Sequence, residues 1–303
     1  MNRIELILQE IRNQPKLLTE FFNSLKAKYW KFLKPENTIL TGCGDSYAAA
    51  LMLKQLVRVE ARDPYELLDE GLGKEKLLAL ISVSGKTIAN IKLAEKAKKE
   101  GVTTIAITGN DQSRLAQLCD MVVNIDYREK IILPGTISFT KTLLALYSLF
   151  GIDVKIQISE KIIEEFFDEF KDIRGKDFIF ISSPGYFPLS IYWKAKILEM
   201  IGAKVMIERC EQFLHMDIFG VRNEDCVIVF GKRDPRCESI YDKLKEKVAF
   251  CRYIKLGDDL PEGFLIGAIA GQILAFVALN KLSLYDVHFA TSDMLKISDE
   301  MIY

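Results

Sequence analysis

Apolar residues recur along this chain in two rhythms, and the switch from one to the other marks out strands and helices. Ile4, Leu8 and Ile11 repeat at helical spacing, and Leu17, Leu18, Phe21, Phe22 and Leu25 continue the face. Pro15 between them is expected to interrupt or restart the helix. Short apolar runs then alternate with helical patterns. The predicted order is strand Thr38 to Gly42, helix Tyr47 to Leu56, a short strand near Val57 to Ala61, strand Leu77 to Ser82, helix Ile88 to Glu100, strand Thr103 to Thr108, helix Ser113 to Leu118, strand Met121 to Ile125 and helix Lys141 to Phe150. A charged helix, Glu160 to Lys171, leads into a second series: strand Phe178 to Ser182, helix Leu189 to Ile201, strands Lys204 to Ile207 and Cys226 to Phe230, helix Ser239 to Lys247, strand Arg252 to Leu256 and helix Phe264 to Leu279. Such alternation implies parallel sheets with helices on both faces, here two similar α/β units in tandem.

The stretch richest in chemistry is Leu77 to Asn90, where a buried strand breaks into Ser82, Val83, Ser84, Gly85, Lys86 and Thr87 before a helix begins. Ligands of open α/β sheets bind beyond the carboxyl ends of the strands, where helix N-termini present N–H groups that suit an anion. Three hydroxyls and a glycine there suit a phosphate ester; capping of the helix is the other use of the same residues. Two other phosphate motifs are excluded. Gly85-Lys86-Thr87 lacks the P-loop glycine five positions earlier, which is Leu80, and Gly42-Cys43-Gly44-Asp45-Ser46-Tyr47 has Tyr47 where a dinucleotide fingerprint needs its third glycine.

Composition narrows the class. The chain has 303 residues, 49% of them hydrophobic, enough for one large or two ordinary domains. With 41 basic and 42 acidic residues its formal charge is -1, so bulk charge does not steer it to nucleic acid or an anionic membrane. Six cysteines form no C-x-x-C pair, and several lie in apolar strand-like runs as small hydrophobes; they imply a reducing, cytoplasmic setting and no structural zinc. The N-terminus has no signal-peptide core. The apolar segment Phe264 to Leu279 is short for a membrane span and contains Gln272, which implies a buried helix.

The turns GCGDSY (Gly42 to Tyr47) and SVSGKT (Ser82 to Thr87), with the opening EIRNQP (Glu10 to Pro15), resemble the sugar isomerase (SIS) family. The resemblance is to the isomerase half of glucosamine-6-phosphate synthase, to amino-sugar phosphate deaminases and to fructosamine deglycases, over nearly the whole chain. It implies two tandem SIS domains of flavodoxin-like three-layer architecture: a helical arm over residues 1–37, a sugar-phosphate-binding domain over 38–155, a second domain with the catalytic Glu and His over 156–290, and a tail over 291–303. Ser46, Ser82, Ser84 and Thr87 then hold the sugar phosphate, each charge-assisted hydrogen bond contributing about 1.5 to 3 kcal/mol. The family turn S-Q-S-G-E-T departs here at Val83, which removes a donor, and at Lys86, which either attracts phosphate or is a solvated lysine. V-A-S-T-K survives as Ile137, Ser138, Phe139, Thr140 and Lys141. Thr140 contacts the sugar on this reading; Phe139, where a serine is expected, is either a changed contact or the first core residue of its helix.

In the second domain, Lys196-Ile197-Leu198-Glu199 matches the family's K-x-x-E helix, in which the glutamate moves a proton between sugar C1 and C2. One carboxylate can serve both carbons of an enediol. Lys196, one turn earlier, can hold the enolate charge; an i, i+3 surface pair is the bland alternative. His215 falls where the ring-opening histidine lies, and an imidazole can move protons between ring and anomeric oxygens near neutral pH, although the family's H-G-P reads His215-Met216-Asp217 here. A lone structural histidine is its alternative. Lys296 stands where the synthase-like enzymes carry a Schiff-base lysine, a role needing a desolvated amine, but the usual S-V-T-V after it is absent and a chance lysine in a polar tail fits equally.

The function implied is a phosphosugar isomerase-type enzyme on fructose 6-phosphate or glucosamine 6-phosphate: aldose-ketose isomerisation, with ammonia-dependent amination or, in reverse, deamination. No cofactor or metal is required. Asn2, where a glutaminase would carry cysteine, implies that nitrogen comes as ammonia or from a separate glutaminase. The family also implies a homodimer with shared active sites and neither nucleic-acid nor membrane partners. A sugar-phosphate sensor without catalysis is the alternative, left open by Val83, Phe139 and Met216.

Overall fold

The computed structural model describes residues 2–73, 76–127 and 131–303. Contacts divide the chain into two compact units, Lys16–Val154 with Asp293–Tyr303 (the first unit) and Met1–Pro15 with Lys155–Ser292 (the second). Helix α1 (Arg3–Tyr29) runs through the division with Pro15 inside it, so the expected interruption does not occur. An internal proline costs about 3 kcal/mol. Ile7, Ile11, Leu18, Phe21, Phe22 and Leu25 are all buried, and at about 1.5 to 3 kcal/mol each their burial offsets it.

The first unit runs β1 (Thr38–Gly42), α2 (Asp45–Leu56), β2 (Glu60–Arg62), α3 (Pro64–Asp69), β3 (Leu77–Ile81), α4 (Ile88–Glu100), β4 (Thr103–Thr108), α5 (Arg114–Leu118), β5 (Met121–Asn124) and α6 (Ile137–Phe150). Its five strands are parallel in the order β2-β1-β3-β4-β5, with Thr38 opposite Leu77 and Gly42 opposite Ile81. The chain leaves β1 towards one edge and returns on its other side at β3. That reversal is the flavodoxin-like switch point, where a crevice opens at the strands' carboxyl ends. The core on one side gathers Ile39, Leu78, Leu80, Leu93, Ala97, Ala106 and Leu115.

The second unit repeats the plan with one strand fewer: α7 (Glu160–Phe170), β6 (Phe178–Ser182), α8 (Phe187–Ile201), β7 (Val205–Arg209), α9 (Cys210–His215), β8 (Cys226–Gly231), α10 (Pro235–Leu244), β9 (Phe250–Lys255), α11 (Leu260–Lys281) and α12 (His288–Thr291). Its parallel strands lie in the order β7-β6-β8-β9, again with β6 and β8 as the reversal. α10 starts four residues earlier than the hydrophobic period implies, because Asp234 accepts from the N–H groups of Arg236 and Cys237 and Pro235 opens the helix. The C-terminal stretch read as a polar tail is helix α13 (Met294–Ile302), packed on α4 in the first unit.

At 22 residues α11 exceeds the run read from sequence and is long and apolar enough to cross a membrane. From Gly263 to Leu279 all but Ile266 are buried, which makes it a core helix. A glycine stripe sets its approach to α8. A Cβ on Gly263 would lie 1.9 Å from the Tyr186 hydroxyl, one on Gly267 2.3 Å from Leu189, and one on Gly271 2.3 Å from Trp193. The Trp193 indole N–H also donates to the Gly267 carbonyl at 2.8 Å.

The cysteines are not all unpaired. Cys226 and Cys251 are free and buried, as a small hydrophobe would be, but Cys210 and Cys237 form a disulfide with Cα atoms 5.9 Å apart. They lie in the first turns of α9 and α10, which follow β7 and β8, so the sheet brings together residues that spacing does not pair. Cys210 and Cys237 are therefore not the unpaired small hydrophobes that the sequence implies.

Candidate functional site

Both hydroxyl-bearing turns of the first unit flank its switch point, one after β1 and one after β3. Gly42 permits their approach: a Cβ there would lie 2.7 Å from Ser46 Cβ and 2.9 Å from the Ile81 carbonyl oxygen. After β3 the backbone folds into a tight loop in which the Gly85 N–H donates to Ser82 Oγ at 3.1 Å, the Lys86 N–H to Ser84 Oγ at 3.3 Å, and Ser82 Oγ lies 3.2 Å from Thr87 Oγ1. Gly85 has φ +66° and lies so close to Ser113 that a Cβ would be 2.1 Å from its hydroxyl. The structure thus joins Ser82, Ser84 and Thr87 in one loop, with Ser46 on the adjacent turn. Lys86 is exposed.

Side-chain caps open some helices of this chain and not others. Asp63, Ser113, Ser159, Asp234 and Asp259 each accept from first-turn amides of the helices they open. Thr87 makes no such bond to α4, and neither does Thr136 to α6, Tyr186 to α8 or Arg209 to α9. The serine and threonine that capping would use are in place, yet the first amides of α4 have no side-chain acceptor. A phosphate has the oxygens to fill that position, and the positive end of the helix favours its charge.

Other predicted residues lie differently. Thr140 is fully buried within α6 and its hydroxyl donates to the Ile137 carbonyl, while Phe139 is a core residue. α6 begins at Ile137 rather than Lys141, which takes both into the helix. Lys296 is on α13 with its side chain 85% exposed and its amine 4.0 Å from Glu300, so the desolvation a Schiff-base lysine needs is not present around it. A cavity of about 490 Å³ in this unit runs between α1 and β5, lined by Lys28, Tyr29, Asp111, Asn124 and Asp126; none of the sequence-predicted residues lines it.

In the second unit α8 carries Lys196 and Glu199 on one face. The Lys196 side chain is wholly buried and its ammonium donates to Glu199 Oε2; Glu199 is about a third exposed. The ammonium also lies 5.2 Å from the centre of the Tyr192 ring. This is not the solvated i, i+3 pair of the bland reading, since a buried ammonium without compensating partners costs several kcal/mol. His215 ends α9, exposed, with Nε2 3.4 Å from Glu211 Oε1. Glu211 is also held by the Arg236 guanidinium at 2.9 and 3.0 Å, which together with His215 lowers its pKa.

Sequence reasoning missed the residues behind the pair. Tyr192 accepts from the Gln272 side-chain amide at 2.9 Å, and Gln272 accepts from Gln14 at 2.6 Å. Gln272 was visible as the polar residue in an apolar helix; nothing in the sequence links it to Gln14, 258 positions away. Asn90, whose amide donates to the Ile81 carbonyl beneath the loop at 2.9 Å, was missed because a buried asparagine in a helix carries no spacing signature.

Residues 31–151 match the model of the SIS domain family. Over 193 residues, 56% of this chain, the sequence is 25% identical to the glutamine-fructose-6-phosphate aminotransferase (isomerizing) of Clostridium tetani. The match spans 32% of that relative, and other curated aminotransferases are likewise matched over a third of their length or less. Among solved structures, glucosamine-6-phosphate deaminase from Thermotoga maritima superposes with a TM-score of 0.78 at 19% identity, covering 92% of this chain and 95% of the other. The C-terminal domain of glucosamine-fructose-6-phosphate aminotransferase from Francisella tularensis superposes with a TM-score of 0.72 at 18% identity, covering 93% and 97%. With its hydroxyl loop at a flavodoxin-like switch point, the chain carries a SIS domain over residues 31–151, homologous to the isomerase half of the glutamine-fructose-6-phosphate aminotransferases.

Proposed function

We propose that this protein is a phosphosugar isomerase-type enzyme made of two SIS domains, acting on fructose 6-phosphate or glucosamine 6-phosphate. Ser46, Ser82, Ser84 and Thr87, with the amides opening α4, bind the phosphate. His215 opens the sugar ring. Glu199 takes a proton from one of C1 and C2 and returns it to the other, and Lys196 holds the charge that develops on the oxygen. Ammonia adding to the open-chain ketose extends the same proton transfer to amination, and the reverse is deamination. The observation that carries the reading is the Lys196–Glu199 pair, a buried ammonium beside a carboxylate that reaches solvent. Sugar-phosphate binding alone requires no such base. The exposure of Lys296 favours Lys196 as the carbonyl partner. The family reading adds a homodimer with shared sites and, as nitrogen source, ammonia or a separate glutaminase.

The test is NMR of either sugar phosphate with the protein in deuterated water, with and without ammonium. Deuterium entering C1 or C2 is expected, and the dependence on ammonium separates isomerase, aminating enzyme and deaminase. Absence of exchange, with both sugars raising the Tm, would replace the enzyme reading by that of a sugar-phosphate sensor.

A further inference from the structure

A continuous polar chain runs through the apolar interior of the second unit and ends at Glu199. The Gln14 amide donates to Gln272 Oε1, the Gln272 amide donates to Tyr192 Oη, the Tyr192 ring lies against the Lys196 ammonium, and Lys196 donates to Glu199 Oε2. Gln14, Gln272, Tyr192 and Lys196 are all 0% exposed; of the five, Glu199 alone reaches solvent. Two amides and a phenol at such depth would each be unfavourable without partners. Linked in series they fix one another's rotamers. α8 is held from the same direction by the glycine stripe of α11, against which Tyr186, Leu189 and Trp193 pack, while Gln272, next to Gly271, meets Tyr192. The outcome is a tyrosine face set under the ammonium and an ammonium set against the carboxylate.

We infer that Gln14, Gln272 and Tyr192 are positioning residues for the Lys196–Glu199 pair, holding its carboxylate in the orientation proton transfer requires. The inference rests on the proposed role of Glu199 as the base. Misplacement of a reacting group by 1 Å costs about a hundredfold in rate. Tyr192→Phe and Gln272→Leu cut the chain at its two ends of the Gln272–Tyr192 link, and each is expected to lower kcat for C1/C2 proton exchange by about ten- to a hundredfold with KM unchanged. Gln14→Leu combined with Gln272→Leu removes both partners of one hydrogen bond, so it is expected to recover stability over Gln272→Leu alone without recovering kcat. A merely structural role would recover both.

Values of kcat within about twofold of the parent in Tyr192→Phe and Gln272→Leu would overturn the inference. Tyr192→Phe keeps the ring and its volume and carries the test where Gln272→Leu does not fold. Glu199→Gln is measured alongside. If it retains exchange, the role of Glu199 as base fails instead, and the chain is then judged by the ¹⁵Nζ NMR signal of Lys196. That signal is expected to shift or broaden in both variants, and an unchanged signal would overturn the inference independently of activity.

Discussion

Cys210 and Cys237 are 27 residues apart in sequence, and their disulfide closes a loop that contains all of α9 and β8. In the chain-entropy account, a loop of that length removes about 3.5 kcal/mol of freedom from the unfolded state. For a unit of this size each kcal/mol shifts the midpoint by about 2 to 4 °C, so losing the bond is expected to lower the Tm of the second unit by about 7 to 14 °C. The perturbations are Cys210→Ala, Cys237→Ala and the double substitution, followed by denaturant and thermal unfolding. Either single change breaks the bond, so the two singles and the double are expected to cost nearly the same. Thiol titration of the unfolded, unreduced parent should find four thiols, from Cys43, Cys119, Cys226 and Cys251, and six after reduction. Six thiols before reduction, or single costs of about 1 to 2 kcal/mol that sum in the double, would refute the reasoning. The bond bears on the site because it anchors the first residue of α9, whose last is His215, and the Glu211–Arg236 pair ties the same helix to α10. If His215 opens the sugar ring as proposed, loss of both is expected to slow that step more than it weakens phosphate binding.

Other outcomes can be checked with single substitutions. Ser82→Ala and Thr87→Ala each remove a hydroxyl from the loop and are expected to raise KM for a sugar phosphate by about 10- to 150-fold, leaving weak binding of the unphosphorylated sugar unchanged; equal losses for both sugars would place the phosphate elsewhere. Gly271→Ala puts a methyl 2.3 Å from the Trp193 ring, and overpacking of this kind is expected to destabilise the second unit by about 1 to 3 kcal/mol in urea melts, with an unchanged midpoint arguing against the tight α8–α11 contact. Desolvation and the Asp63 carboxylate push the Cys43 thiol up to about 11, so about one thiol in a thousand is ionised at pH 8. Its alkylation is expected to quicken about tenfold per pH unit up to that value, and Asp63→Asn should move the profile down; labelling at pH 8 at the rate of a free cysteine would contradict both.

Several boundaries were legible because the physics that sets them is local. β1, α4, β4 and β6 begin and end where the hydrophobic pattern placed them. A buried run such as Leu77–Ile81 must pair its backbone in a sheet, a glycine such as Gly101 at φ +70° ends a helix without steric cost, and hydroxyls concentrate where a strand turns into a helix. Gln272 in an apolar helix was legible as a buried polar residue for the same reason. What the hydroxyls of Ser82, Ser84 and Thr87 are for was not, since capping and phosphate binding draw on the same residues; that Thr87 leaves the start of α4 without a side-chain cap is visible only in three dimensions. The continuity of α1 through Pro15, the Cys210–Cys237 bond, the chain from Gln14 to Glu199 and the position of two turns at a switch point depend on contacts between residues far apart in sequence. Local preference has no information about such pairs. They arise when the sheets assemble and bury side chains whose polar atoms must then find partners, and the residues that satisfy this condition are chosen by the fold as a whole.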